Sequence, residues 1–156
     1  METIASILTS FLNFVLKNLF YRDSELQHQK KFEERDAIKI LYDAFLTVRN
    51  NRTKMAEALN GCAIPNIKPF CSAILEFQST FDSKRNLVLS TSLSKKALSY
   101  IRLCEKIISV YNDSVENESF TSQMFVESNK HLIFSTNIQQ AEDALMASFK
   151  KKYKRL

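Results

Sequence analysis

The scarcity of chain-breaking residues constrains this chain more than any other feature. Its 156 residues include one glycine, Gly61, and two prolines, Pro65 and Pro69. Tight turns, phosphate-binding loops and strained catalytic corners depend on glycine or proline, so the chain has almost no material for them. The sequence therefore predicts an all-α fold. The apolar spacing along it predicts an up-and-down helical bundle of four to five helices with an additional N-terminal amphipathic helix.

The same shortage excludes several kinds of enzyme site. One glycine cannot form a GxGxxG fingerprint, a P-loop or the GxSxG turn of α/β-hydrolases. The chain has only two histidines and three cysteines, and the cysteines show no CxxC spacing. We therefore expect no metal, no cofactor and no small-molecule substrate. The three cysteines are expected to be buried thiols of a reducing compartment.

Residues 3–20 are predicted to form the first helix. Its polar residues recur every three or four positions and form one narrow stripe. The apolar residues cover most of the circumference. Those expected to contact a partner or a membrane are Ile4, Ile7, Leu8, Phe11, Leu12, Val15 and Phe20. Three arrangements remain open: packing against the bundle or a partner, lying in a membrane surface, or spanning a membrane within an oligomer.

A helix boundary is expected shortly after this segment. Tyr21, Arg22 and Asp23 interrupt the apolar pattern, and Ser24 with Gln27 matches a capping box. The chain is therefore divided into an N-terminal helix, residues 1–22, and a helical bundle domain with a basic C-terminal end, residues 23–156.

The bundle helices are predicted from their apolar ridges and caps. A long helix should run to Asn60, with Gly61 as its C-cap and Asn50–Asn51 as a possible interruption. The next helix should begin near Pro69, and loops are expected at 83–91 and 112–117. Further helices should begin at Ser92 or Ser94, at Ser119 and, with an Asn137 cap, near the C-terminus.

The segment from Arg22 to His28 resembles the R-x(4–6)-H motif of HEPN-type ribonucleases. Members of that family are all-helical and commonly dimeric, and they cleave RNA without a metal. The resemblance implies that Arg22 stabilises the phosphate charge and that His28 transfers the proton. The alternative interpretation is a helix cap that carries a surface histidine.

The net charge of +5 is concentrated at the C-terminal end. The cations expected to contact an anionic partner are Lys150, Lys151, Lys152, Lys154 and Arg155. They suit the negative end of a helix dipole. They could also contact anionic lipid, nucleic-acid phosphates or an acidic protein.

Together these features favour a non-enzymatic helical protein–protein interaction subunit or adaptor of a larger assembly. Its partner is expected to be another protein or a second copy of the chain. One alternative is a membrane-associated helical protein that uses its N-terminal helix and basic tail. A second alternative is a nucleic-acid-contacting helical subunit or a HEPN-like RNase. The expected location is cytoplasmic, or peripheral at the inner face of a membrane.

Overall fold

The computed structural model describes residues 2–88, 91–116, 122–133 and 135–155, and for 2–12, 18–20 and a few positions elsewhere it describes the backbone alone. The described residues form five α-helices and no strand, which confirms the all-α prediction. The helices are α1 (Glu2–Asn60), α2 (Lys68–Val88), α3 (Thr91–Glu116), α4 (Ser122–Ile133) and α5 (Thr136–Tyr153).

Helix α1 is continuous, so the predicted break at Tyr21–Asp23 and the predicted cap at Ser24 are wrong. No glycine or proline precedes Gly61, and the residues of the supposed break each cost less than about 0.7 kcal/mol in a helix. A helix that is already nucleated elsewhere propagates through such positions. The predicted interruption at Asn50–Asn51 is also absent, because the Asn51 side chain donates to the carbonyl of Thr47 at 3.0 Å within the helix.

The described parts of two predicted loops, 83–91 and 112–117, are helical. Helix α2 continues to Val88 and α3 continues to Glu116. The Ser114 hydroxyl donates to the carbonyl of Val110 at 2.7 Å, so this polar residue is accommodated inside α3. The predicted helix start at Ser119 lies outside the described residues.

The last helix begins two residues earlier than predicted. Its N-cap is Ser135 rather than Asn137. The Ser135 hydroxyl accepts a hydrogen bond from the backbone N–H of Ile138 at 3.4 Å. This bond satisfies one of the free donors at the helix start.

The end of α1 is a Schellman motif whose left-handed residue is a cysteine. The N–H of Ala63 bonds to the carbonyl of Ala58 at 2.9 Å, and the N–H of Cys62 bonds to that of Leu59 at 3.1 Å. Cys62 has a φ of 57°, whereas Gly61 has no positive φ. Glycine usually occupies this left-handed position because it has no Cβ. The predicted C-cap is therefore displaced by one residue.

The core is organised around the aromatic ring of Phe45 on α1. This ring lies 5.3 Å from Tyr100 of α3, 5.9 Å from Phe149 of α5 and 6.3 Å from Phe77 of α2, measured between ring centroids. All four rings are buried. The second part of α1 is therefore the central element on which three other helices pack.

The cysteines occupy three different environments. Cys104 is buried, Cys71 is half-buried in the first turn of α2, and Cys62 is exposed in the turn after α1. The expectation of three buried thiols is thus wrong for Cys62 and Cys71. Both lie at helix ends, where the chain leaves or enters the core.

Candidate interaction surface

Helix α1 is packed into the core over only part of its length. Its buried ridge begins at Ala37 and ends at Leu59. Before Ala37, the described side chains, at 13–17 and 21–36, are all exposed except half-buried Glu34. We call residues 2–36 the arm. At the α-helical rise, the arm extends over about 50 Å.

The middle of the arm is polar around its whole circumference. Between residues 22 and 36 only Leu26 and Phe32 are large and apolar. Its main residue types have high helix propensity even without tertiary packing: glutamate, glutamine, lysine and arginine. Interactions between side chains four residues apart stabilise the helix further. One such pair is Gln29 and Glu33, whose side chains hydrogen-bond at 3.3 Å. A helix that is polar on all sides acts as a spacer between two contact regions.

The N-terminal part of the arm has apolar residues that the bundle does not cover. Phe14 is 64% exposed, Leu16 is 44% exposed and Tyr21 is 67% exposed. Val15, one of the residues expected to contact a partner or membrane, is 37% exposed. The other residues of that prediction lie on the helical backbone of α1, but their side chains are outside the described residues: Ile4, Ile7, Leu8, Phe11, Leu12 and Phe20. In the part of the chain that is described, no helix is long and apolar enough to cross a membrane.

The basic end of α5 lies beside the base of the arm. The guanidinium of Arg35 is 4.5 Å from the ring centroid of Tyr153, a cation–π contact. Phe32 and Asp36 line a shallow groove together with these two residues. The predicted cationic residues follow in and after the last turn of α5, and all are exposed except half-buried Lys152: Lys150, Lys151, Lys152, Lys154 and Arg155. The arm and the basic end therefore share one end of the bundle.

The two residues of the HEPN-like motif are exposed in the middle of the arm. Arg22 and His28 are six positions apart on one continuous helix. They are therefore separated by about 9 Å along the helix axis and by about 120° around it. The fold of a single chain does not bring these two side chains together.

A buried polar cluster, which sequence reasoning missed, joins four elements of the bundle. Arg52 of α1 donates two hydrogen bonds to the Glu142 carboxylate of α5, from Nε to Oε1 at 2.6 Å and from Nη2 to Oε2 at 2.8 Å. Its Nη1 donates to the carbonyl of Ile133, at the end of α4, at 2.8 Å. The Tyr100 hydroxyl of α3 donates to Glu142 Oε1 at 3.1 Å. Arg49 Nε lies 3.5 Å from the same carboxylate.

Burial and pairing shift the protonation of this cluster. Desolvation alone would lower the pKa of Arg52, but the hydrogen bonds and charge of Glu142 outweigh it and the pKa is raised. Desolvation raises the pKa of Tyr100, and the neighbouring Cys104 and Glu142 raise it further. Desolvation also raises the pKa of the Cys104 thiol to about 12. The cluster therefore holds the Arg52–Glu142 pair beside two groups, Tyr100 and Cys104, that stay neutral near pH 7.

A sequence signal for this cluster exists in the apolar ridges. Arg52 lies four residues after Val48 and three before Met55 on the core ridge of α1. Glu142 lies three residues before Leu145 on the ridge of α5. One positive charge on the ridge of α1 and one negative charge on the ridge of α5 indicate a buried ion pair, since burying either charge without a partner would cost free energy.

No group of three or more histidine, cysteine, aspartate or glutamate side chains that could hold a metal ion occurs within the described residues. Comparison with protein-family models, with curated proteins and with solved structures gave no match. The functional argument therefore depends on the exposed arm and its surroundings.

Proposed function

We propose that the protein is a non-enzymatic helical interaction subunit that docks on a partner protein through its arm. The observation that carries this proposal is the exposure of Phe14, Leu16 and Tyr21 on a helix that the bundle leaves uncovered. Phe14 and Tyr21 lie seven residues apart on one face of the helix, and a shared exposed apolar face is typical of contact sites on soluble domains. The polar middle of the arm then serves as a spacer between the docked end and the bundle.

The finer arrangement of the bundle belongs to the same proposal. We infer that the second part of α1 forms an up-and-down bundle with α2, α3 and α5. The connections support this arrangement, since short links between consecutive helices favour antiparallel neighbours. The bundle would then provide a stable base from which the arm extends.

The proposal is tested by the size of the complex in which the chain resides. A tagged chain expressed at its native level in its host is expected to elute well above its monomer mass of 18.1 kDa. The double substitution Phe14→Ser/Leu16→Ser should release it as a monomer. A matched control, Leu75→Ser/Val115→Ser, removes two comparably exposed apolar residues from the bundle and should leave the complex intact. A monomeric wild-type chain, or equal behaviour of both variants, would refute the proposal.

A second candidate function, membrane association, is favoured because the arm and the basic end lie at the same end of the bundle. Apolar insertion and a cationic cluster together suffice for peripheral anchoring, whereas one weak signal does not. In this proposal the N-terminal part of the arm inserts, and Lys150 to Arg155 contact anionic headgroups. Flotation with phosphatidylglycerol vesicles should then be lost in Phe14→Ser/Leu16→Ser and weakened by salt. Wild-type protein that stays at the bottom of the gradient rules this candidate out.

A further inference from the structure

A second groove between α1 and the last turns of α5 has the features of a small-ligand site. Its volume is about 330 Å³, at the lower end of the range for small-molecule sites. Ile38 and Phe149 lie beneath it as buried core side chains. Tyr42 and Tyr153 line its sides. The apolar part of a ligand would therefore lie mainly against the two tyrosine rings, above the core.

Polar groups that the fold does not use surround this groove. Lys39 and Lys150 line the groove and are exposed. Their ammonium groups have no carboxylate within 4 Å among the described residues, where the ion pairs are those of Arg49 and Arg52 with Glu142. Most small-ligand sites combine an apolar floor with a few converging donors of this kind.

The tyrosines of the groove add two further donors. No hydrogen bond joins the hydroxyl of Tyr42 or of Tyr153 to any other residue that the structure describes. The Tyr42 ring packs edge-on against Phe149 at 5.8 Å, and the Tyr153 ring lies under the Arg35 guanidinium. Both rings are thus held in place while their hydroxyls remain available to a ligand.

The charges around the groove favour an anion. Asp43 is the one carboxylate among the residues that line it, against the two lysines. The residues that follow Tyr153, Lys154 and Arg155, add positive charge at the same end of α5. A local excess of positive charge raises the concentration of anions at the site.

We propose that this groove binds one free single-chain carboxylate of the fatty-acid class. The carboxylate is held between Lys39 and Lys150 by charge-assisted hydrogen bonds, and the apolar chain lies against the rings of Tyr42 and Tyr153. The volume accommodates one small molecule rather than the surface of a bilayer. The inference does not depend on the proposed docking of the arm, so each can fail without the other.

Calorimetric titration of the full chain with dodecanoate, below the concentration at which it forms micelles, tests the proposal. We expect one dodecanoate to bind per protein chain. Dodecyltrimethylammonium, which has the same alkyl chain and the opposite charge, should bind at least about tenfold more weakly. Lys39→Ala/Lys150→Ala should weaken dodecanoate binding about tenfold or more. The control Lys95→Ala/Lys106→Ala removes two exposed lysines from α3 and should bind like the wild type.

A second pair of variants tests the apolar wall. Tyr153→Ala removes an exposed ring from the last turn of α5 and should weaken binding, whereas Tyr21→Ala, which removes a more exposed ring from the arm, should not. The NMR resonances of the Tyr42 and Tyr153 rings give a measurement that needs no variant. They should shift on addition of dodecanoate.

Four results would overturn the proposal. Dodecanoate and the cationic amphiphile could bind equally, which would indicate non-specific apolar contact. Binding could be unchanged in both groove variants, with no shift of the tyrosine rings. The chain could bind phosphatidylglycerol vesicles but no monomeric dodecanoate, which would identify a membrane as the ligand. Finally, the wild type could be a dimer that Tyr153→Ala dissociates, which would make a second copy the occupant.

Discussion

Removal of the Glu142 carboxylate should be among the most damaging single changes in this protein. In Glu142→Leu, Arg52 keeps one partner, the carbonyl of Ile133 at 2.8 Å, and loses both hydrogen bonds to the carboxylate. Its guanidinium remains charged, and Arg52 is only 7% exposed. The Tyr100 hydroxyl, fully buried, loses its acceptor as well.

Breaking a buried ion pair from one side costs about 3–5 kcal/mol, since the remaining charge is left without compensation. The contact with Arg49 adds little, because its side chain is 38% exposed and its charge stays solvated. For a chain of this length each kcal/mol lowers the melting temperature by about 2–4 °C. We therefore expect Tm to fall by about 6–20 °C.

The assay is thermal and urea denaturation followed by circular dichroism at neutral pH, with three further variants, of which the first is Arg52→Met. Asp143→Leu removes the adjacent exposed carboxylate and should change the free energy of unfolding by less than about 0.5 kcal/mol. Arg52→Met/Glu142→Leu removes both charges and should recover much of the loss, so the two sites should couple by about 2 kcal/mol or more. The reasoning fails if Glu142→Leu costs less than about 1 kcal/mol, or if the double variant loses the sum of the two single losses.

Three further predictions concern other sites. Cys62→Gly should stabilise the protein by about 1 kcal/mol in denaturation, because glycine adopts the left-handed conformation without a Cβ penalty, whereas Cys62→Ala should be neutral; destabilisation by glycine would contradict the Schellman assignment. Burial raises the pKa of Cys104 from 9.0 to about 12 and raises that of Tyr100 as well. The contribution of the neutral Cys104 thiol to the free energy of unfolding, on the order of 4 kcal/mol, should therefore be fully present below pH 9 and lost between pH 9 and 12. Equal free energies of unfolding at pH 8 and pH 10.5 would exclude this linkage. Purified wild type and His28→Ala should be indistinguishable in an RNA-cleavage assay, because the helix separates His28 from Arg22; cleavage that disappears in His28→Ala would support the ribonuclease alternative instead.

The helical ridges could be predicted from the sequence, whereas the helix ends could not. Leu93, Tyr100 and Ile107 on α3 are buried, as their spacing indicates, and Ile108 of the same ridge is half-buried. Helix ends depend on differences of a few tenths of a kcal/mol per residue, which packing easily outweighs. Tyr21–Asp23 and Asn112–Glu116 therefore continue their helices although their composition favours a break.

The polar cluster shows a different limit of sequence reasoning. The ridge positions of Arg52 and Glu142 indicate that each is buried, but the partners are 90 residues apart in the chain. Their pairing follows from how α1 and α5 pack, and Tyr100 joins them only because α3 packs there too. Spacing within one helix contains no information about such a meeting of three helices.

The continuity of α1 fixes the azimuth of the distal end, which is the N-terminal part of the arm, relative to the bundle. Each residue turns an α-helix by about 100° and advances it by about 1.5 Å. The direction in which Phe14 points is thus fixed relative to that of Phe45, because the helix between them is continuous. One alanine inserted after Gln29 would rotate the distal end by about 100°, and seven would lengthen the rod by about 10 Å and return it nearly to its original azimuth. Orientation and reach can therefore be varied separately in this molecule, with both contact regions left unaltered.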